Sequence, residues 1–171
     1  MSEAVQKSST FSTDIPQQGE FSIVSLNVST DVGTRKFPVQ SVEFVTDFGI
    51  QGDAHAGRLV NRQISLLAIE EIEEASCKLA EVRQDVALNL KPGDFGENIT
   101  TRGITLHRLP LGTHLYLGSV ELVVSQIGKE CHTSCEIRKL VGDCVMPRKG
   151  IFARVLVGGI ITNEVRCYYR I

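Results

Sequence analysis

The stretch Leu111-Gly112-Thr113-His114-Leu115-Tyr116-Leu117-Gly118-Ser119-Val120-Glu121-Leu122-Val123-Val124-Ser125-Gln126-Ile127 decides how this chain is read. Two apolar, branched or aromatic runs flank Gly118-Ser119. Such residues fit the half-buried surface of a pleated strand. Glycine at the first central position and serine at the second suit a type II′ turn, whose twist matches that of the strands it joins. The stretch reads as a tight β-hairpin.

The same pattern extends outward. Ile151 to Val157 and Val165 to Tyr169 are further runs of this kind, and Gly128, Gly150, Gly158 and Gly159 punctuate them. On the N-terminal side, Phe21, Ile23, Leu26 and Val28 read as one strand and Val39, Val42, Phe44 and Val45 as another, entered through Lys36-Phe37-Pro38. Arg62 to Leu67 reads as a short strand. A helix follows, because Ala68, Ile69, Ile72, Ala75 and Leu79 recur at helical spacing, with Glu70, Glu71, Glu73 and Glu74 turned away. Many short glycine-bounded strands and one good helix predict a mainly β, β-rich α+β barrel or sandwich with helical decoration.

The chain has 171 residues, enough for one domain with a real core. Residues 1–19 carry serine, threonine and glutamine without periodicity and read as a flexible tail, leaving one domain over 20–171. That tail lacks the apolar block of a secretory signal and the Arg-rich amphipathicity of a transit peptide, which points to the cytoplasm. No apolar run approaches the ~20 residues of a bilayer span. Eighteen basic against twenty acidic residues give a formal charge of -2. That balance removes the global electrostatic argument for nucleic-acid binding and leaves a local basic pocket open.

Chemistry concentrates in three places. Ile127-Gly128-Lys129-Glu130-Cys131-His132-Thr133-Ser134-Cys135 leaves the end of a strand, where a reactive group is held yet accessible. Lys129 and His132 flank Cys131, and cationic neighbours raise the thiolate fraction that a nucleophile or metal ligand needs. A zinc site from Cys131, His132, Cys135 and Cys144 lacks the second close ligand pair of the usual fingers, and a disulfide from Cys131 to Cys135 or Cys144 stays open. Cys77 and Cys167 read as packing residues. From Lys129 to Arg154, six basic residues stand against three acidic ones, a local excess that suits a phosphate-bearing ligand. Gly49-Ile50-Gln51-Gly52-Asp53-Ala54-His55-Ala56-Gly57 is a loop that turns sharply or approaches something closely. Gly93-Asp94-Phe95-Gly96-Glu97-Asn98 sets a ring between two permissive positions, followed by side chains suited to a fixed hydrogen-bond network. No dinucleotide fingerprint, P-loop or HExxH motif is present.

Taken in order, Gly49 to Gly57, Arg62 to Leu67, Gly93 to Thr100, the strand end at Cys131 and Gly150 to Val155 resemble the MOSC domains, named for the C-terminal domain of molybdenum cofactor sulfurase. The likeness runs from about Ile23 to Tyr169 and is to the small stand-alone bacterial type. Asn61 stands where the family often carries histidine, and Glu130 where it often carries proline. The resemblance implies a β-barrel with peripheral helices. It implies binding of the molybdenum cofactor (molybdopterin), with Cys131 as the catalytic sulfur that ligates molybdenum or carries sulfur. By the same matching, Arg62, Asn98 and Arg154 shape the pocket, with Lys129 beside them for the pterin phosphate. Two activities follow as expectations: reduction of N-hydroxylated compounds, or a non-catalytic sulfur-carrier or interaction module. The second implies a cysteine desulfurase or a cofactor-biosynthesis protein as partner.

Overall fold

The computed structural model describes residues 15–82, 89–130 and 144–171. The strands described there are β1 (Gln18–Val28), β2 (Phe37–Val39), β3 (Ser41–Val45), β4 (Gly49–Ile50), β5 (Ile64–Ala68), β6 (Ile99–Arg102), β7 (His114–Leu117), β8 (Val120–Ile127), β9 (Ile151–Val157), β10 (Gly159–Thr162) and β11 (Cys167–Arg170). With them are the helices α1 (Ile69–Val82) and α2 (Met146–Lys149) and a single 3₁₀ turn at Leu106–Arg108.

The predicted hairpin is β7–β8. Leu117 pairs with Val120 across Gly118-Ser119, and Gly118 takes the positive φ of 59° that the turn demands. Tyr116 on β7 lies opposite Tyr168 on β11, the two rings stacked at 4.6 Å.

Seven strands in the order β11-β7-β8-β9-β5-β6-β1 form a barrel that closes where β1 pairs with β11. The eleven residues of β1 carry both seams: Gln18–Phe21 meet β11, and Ser22–Leu26 meet β6 with a bulge between Ile23 and Ser25. Closure leaves these strands no free edge. The barrel therefore starts at Gln18, just inside the segment expected to be a tail. β10, β3 and β4 form a separate three-stranded sheet.

β5 explains how the barrel and its outer layer are joined. All five of its residues are buried. Ile64, Leu66 and Ala68 face the barrel interior with Leu115, Leu122, Val155 and Ile99. Leu67, on the opposite face, packs with Ile72, Phe95, Met146 and Phe152 in a second cluster beneath α1. A strand covered on both sides reads as a continuous apolar run. It pairs parallel with β6, so the chain needs a crossover between them, and α1 lies on that crossover.

Three expectations shift in detail. Arg62 sits in a turn, its N–H donating to the Leu59 carbonyl at 3.2 Å, so β5 begins at Ile64. Glu71 is not turned away from the protein: it is largely buried and lies 3.4 Å from Lys149 Nζ. Cys77 is exposed on α1, whereas Cys167 is buried in the barrel as expected. Burial raises the Cys167 thiol to about 11, which leaves it inert. No helix among the described residues is long and apolar enough to cross a membrane.

Candidate functional site

One face of the barrel opens into a cavity of about 590 Å³. Its walls come from the loop after β1 (Val32, Gly33, Thr34), the loop before β5 (His55, Arg58, Leu59, Arg62), Ser65 on β5, and Phe95, Gly96 and Asn98 before β6. Lys129, Met146 and Phe152 complete the lining. Apolar side chains form much of the wall, and the charged groups are Arg58, Arg62 and Lys129. No aspartate or glutamate lines it among the described residues. An apolar cleft with a few convergent donors of one sign fits a planar ligand with an anionic end.

Arg62 is held by its neighbours. Its Nε donates to Gln126 Oε1 at 2.9 Å, Gln126 Nε2 donates to the Gly128 carbonyl at 2.8 Å, and the guanidinium lies 5.6 Å from the Phe152 ring centroid. These contacts spend Nε and leave the two η nitrogens without a protein partner among the described residues. Lys129 is aimed by Gly128. A Cβ there would stand 2.1 Å from the Pro147 carbonyl oxygen, at a φ of 64°, so only glycine lets β8 pass this close to α2.

Asn98 lines the cavity but uses most of its polar capacity inside the protein. Its Oδ1 accepts from Ser65 N at 3.1 Å and Ser65 Oγ at 3.0 Å, and its Nδ2 donates to the Asn27 carbonyl at 3.2 Å. It therefore ties β1, β5 and the β6 entry together at the cavity floor. Arg154 lies elsewhere. It reaches Asp47 Oδ1 at 2.8 Å from β9 and is not among the residues lining the cavity. Lys149, in the same basic stretch, is bound to Glu71. Two of the cavity's cations, Arg58 and Arg62, thus come from the loop before β5, outside the basic stretch. Cys131, His132 and Cys135 fall outside the described residues. Among those described, no group of three His, Cys, Asp or Glu side chains is placed to hold a metal.

The expected network at Glu97 is present. Glu97 is fully buried; its Oε1 accepts from Gly93 N at 2.6 Å and Thr100 Oγ1 at 2.8 Å, and its Oε2 from Phe95 N at 3.2 Å. This folds the loop around Phe95 and presents the ring to the cavity. Burial raises Glu97 to about 7, outweighing these donors. Between pH 4.5 and 7 the folded chain then keeps a proton that the unfolded chain releases, so this group's contribution falls as pH rises. In urea unfolding, Glu97→Gln is expected to remove a decline on the order of 3 kcal/mol between pH 4.5 and 7 relative to wild type. Identical pH profiles would refute that assignment.

Sequence reasoning missed a buried ion pair behind the cavity wall. Lys36 Nζ lies 2.5 Å from Asp53 Oδ2, and both side chains are about 1% exposed. Asp53 also accepts from Ser29 N at 3.1 Å and His55 N at 3.0 Å. Burial works against its charge, but Lys36, by hydrogen bond and by charge, and the backbone N–H of His55 hold its carboxyl below the usual range. Burial lowers Lys36 despite Asp53. The only signal in the sequence was the glycine-rich loop around Asp53, since Lys36 reads as an ordinary surface charge.

The family model of the MOSC domain matches residues 51–165. A search among curated proteins finds no significant match. Among solved structures, the YuaD protein from Bacillus subtilis superposes with a TM-score of 0.74 at 18% identity, covering 90% of this chain and 98% of that one. YiiM from Escherichia coli gives 0.64 at 17% identity, covering 88% and 69%. YiiM from Geobacillus stearothermophilus gives 0.60 at 22% identity, covering 87% and 74%. At these identities the structures speak for the fold, and the matched residues speak for the family: the chain belongs to the MOSC domain family.

Proposed function

We propose that the chain binds a molybdenum–pterin cofactor in this cavity, with Cys131 supplying the sulfur that ligates the metal or carries sulfur. The observation that carries the reading is the cavity's charge: Arg58, Arg62 and Lys129 line it, and none of the described lining side chains is acidic. Arg62 offers its η nitrogens to phosphate oxygens in the paired geometry that favours arginine, and Lys129 adds a point charge. The apolar walls at Phe95, Met146 and Phe152 suit a flat heterocycle. Lys129 precedes Cys131 by two residues, a covalent tether of about 7 Å at most between Cα atoms. A thiolate is the soft donor that molybdenum favours. When bound, the group supplies a two-electron redox centre. The residues around it hold the phosphate, exclude water from the ring and fix the ligand's orientation. Asn98 serves by bracing Ser65 and the floor.

The test compares wild type with Cys131→Ser, both purified from a molybdenum-replete host. Molybdenum per chain is expected to fall at least tenfold in the variant, with an unchanged thermal unfolding midpoint. Equal metal content in both would overturn the assignment of Cys131. Sustained reduction of an N-hydroxylated substrate by the loaded chain marks an enzyme. Transfer of one sulfane sulfur per chain, from a persulfide on Cys131 loaded by a cysteine desulfurase and leaving the Cys131 thiol, marks a sulfur carrier.

A further inference from the structure

Building on the reading of the cavity as the pterin site, we infer that His55 is its neutral hydrogen-bond donor, an imidazole held as the Nε2–H tautomer by the buried Lys36–Asp53 pair. Arg58, Arg62 and Lys129 are charged and suit anionic oxygens. A heterocycle also presents uncharged acceptors, carbonyl oxygens and bare ring nitrogens, and a neutral N–H meets these without burying a further charge.

The tautomer follows from what surrounds the ring. His55 Nδ1 lies 3.2 Å from Lys36 Nζ. An ammonium has three donors and no lone pair, so the nitrogen facing it must be the acceptor. The proton of the neutral ring then sits on Nε2. The three partners of Lys36 Nζ are Asp53 Oδ2 at 2.5 Å, this ring and Ser29 Oγ at 3.4 Å. Asp53 Oδ1 is 3.5 Å from Nδ1 and already accepts the backbone N–H of His55 at 3.0 Å. One carboxylate thus fixes the backbone of the loop and, through Lys36, the ring above it. Lys36 and Asp53 are buried while the His55 side chain is 38% exposed and lines the cavity. Nδ1 faces inward, which leaves Nε2 on the open side. Lys36 and Asp53 act through His55 and are positioning residues.

Nitrogen-15 NMR of the full chain labelled at histidine tests this without any cofactor. At neutral pH the expected result is a bare Nδ1 and a protonated Nε2 for His55. Titration with a pterin that carries no phosphate is expected to move the Nε2 resonance and leave Nδ1 in place. His55→Ala is expected to weaken that pterin about fivefold, the worth of one neutral hydrogen bond, and His55→Gln to restore most of it, since its amide N–H falls near Nε2. The double variant Lys36→Met with Asp53→Asn, which leaves no lone buried charge, is expected to give a mixture of tautomers. A wild-type ring protonated at Nδ1 would overturn the inference whether or not the protein retains molybdenum. An Nε2 signal that ignores the pterin and follows inorganic phosphate would overturn the assignment to a neutral acceptor while leaving the anion site intact.

Discussion

Replacing Lys36 with methionine is expected to lower the free energy of unfolding by about 3–5 kcal/mol, a large part of the stability of a domain this size. The cause is the partner left behind. Asp53 would keep a charge in a site where its side chain is about 1% exposed, with two backbone N–H donors and no cation. Removing the charge as well, in Lys36→Met with Asp53→Asn, is expected to recover a good share of the loss, because a neutral pair is cheaper to bury than a lone ion. Urea denaturation of the two single variants and the double gives the coupling directly. A Lys36→Met variant within about 1 kcal/mol of wild type, or single-variant costs that simply add, would show that the pair does not hold the loop. Lys36 is also fixed by its backbone, which donates to the Gly93 carbonyl at 2.9 Å. A Cβ on Gly93 would stand 2.2 Å from the Lys36 carbonyl oxygen, so the two loops are fitted to one another at this point.

The second large effect concerns the cations of the cavity. Arg62→Met is expected to weaken a pterin bearing a phosphomonoester about 30-fold or more, the loss of a paired charge-assisted hydrogen bond. Adding Lys129→Met is expected to weaken it further and to flatten the salt dependence of binding, since fewer charges remain to be screened. Titration calorimetry at two ionic strengths reads both quantities. Arg166→Met, at a surface pair with Glu20 remote from the cavity lining, serves as the control and is expected to change neither. Equal affinities for wild type and the Arg62→Met, Lys129→Met double variant would remove the electrostatic basis of the site.

The β-rich, helix-decorated class was legible because its elements carry local signals, and the family resemblance supplied the barrel. The β7–β8 hairpin announced itself through Gly118-Ser119, and α1 through the spacing of Ile69, Ile72 and Leu79. Closure itself has no local signal. It joins Gln18–Phe21 to Cys167–Arg170, contacts between the two ends of the chain that no window of sequence contains. The site divided in the same way. Arg62 carries the signal of motif order and Lys129 that of its place beside Cys131, and both line the cavity. Arg154 belongs to a matching motif and shares the outer face of β9 with Phe152, but it stands two residues farther along the strand, where it reaches Asp47 and not the cavity, and the motif does not mark where along the strand the cavity ends. Lys36 and Asp53 are 17 residues apart, and nothing in the local sequence of either pairs them until the fold buries them together. His55 carries no signal of its own within a loop whose glycines speak only of backbone shape.

The most direct test of the account is the content of the wild-type chain itself. Purified from a molybdenum-replete host and analysed for metal and for extractable pterin phosphate, it is predicted to carry about one of each per chain. A chain recovered free of both, while other molybdenum enzymes of the same cells are fully loaded, would contradict the assignment of this cavity to the cofactor.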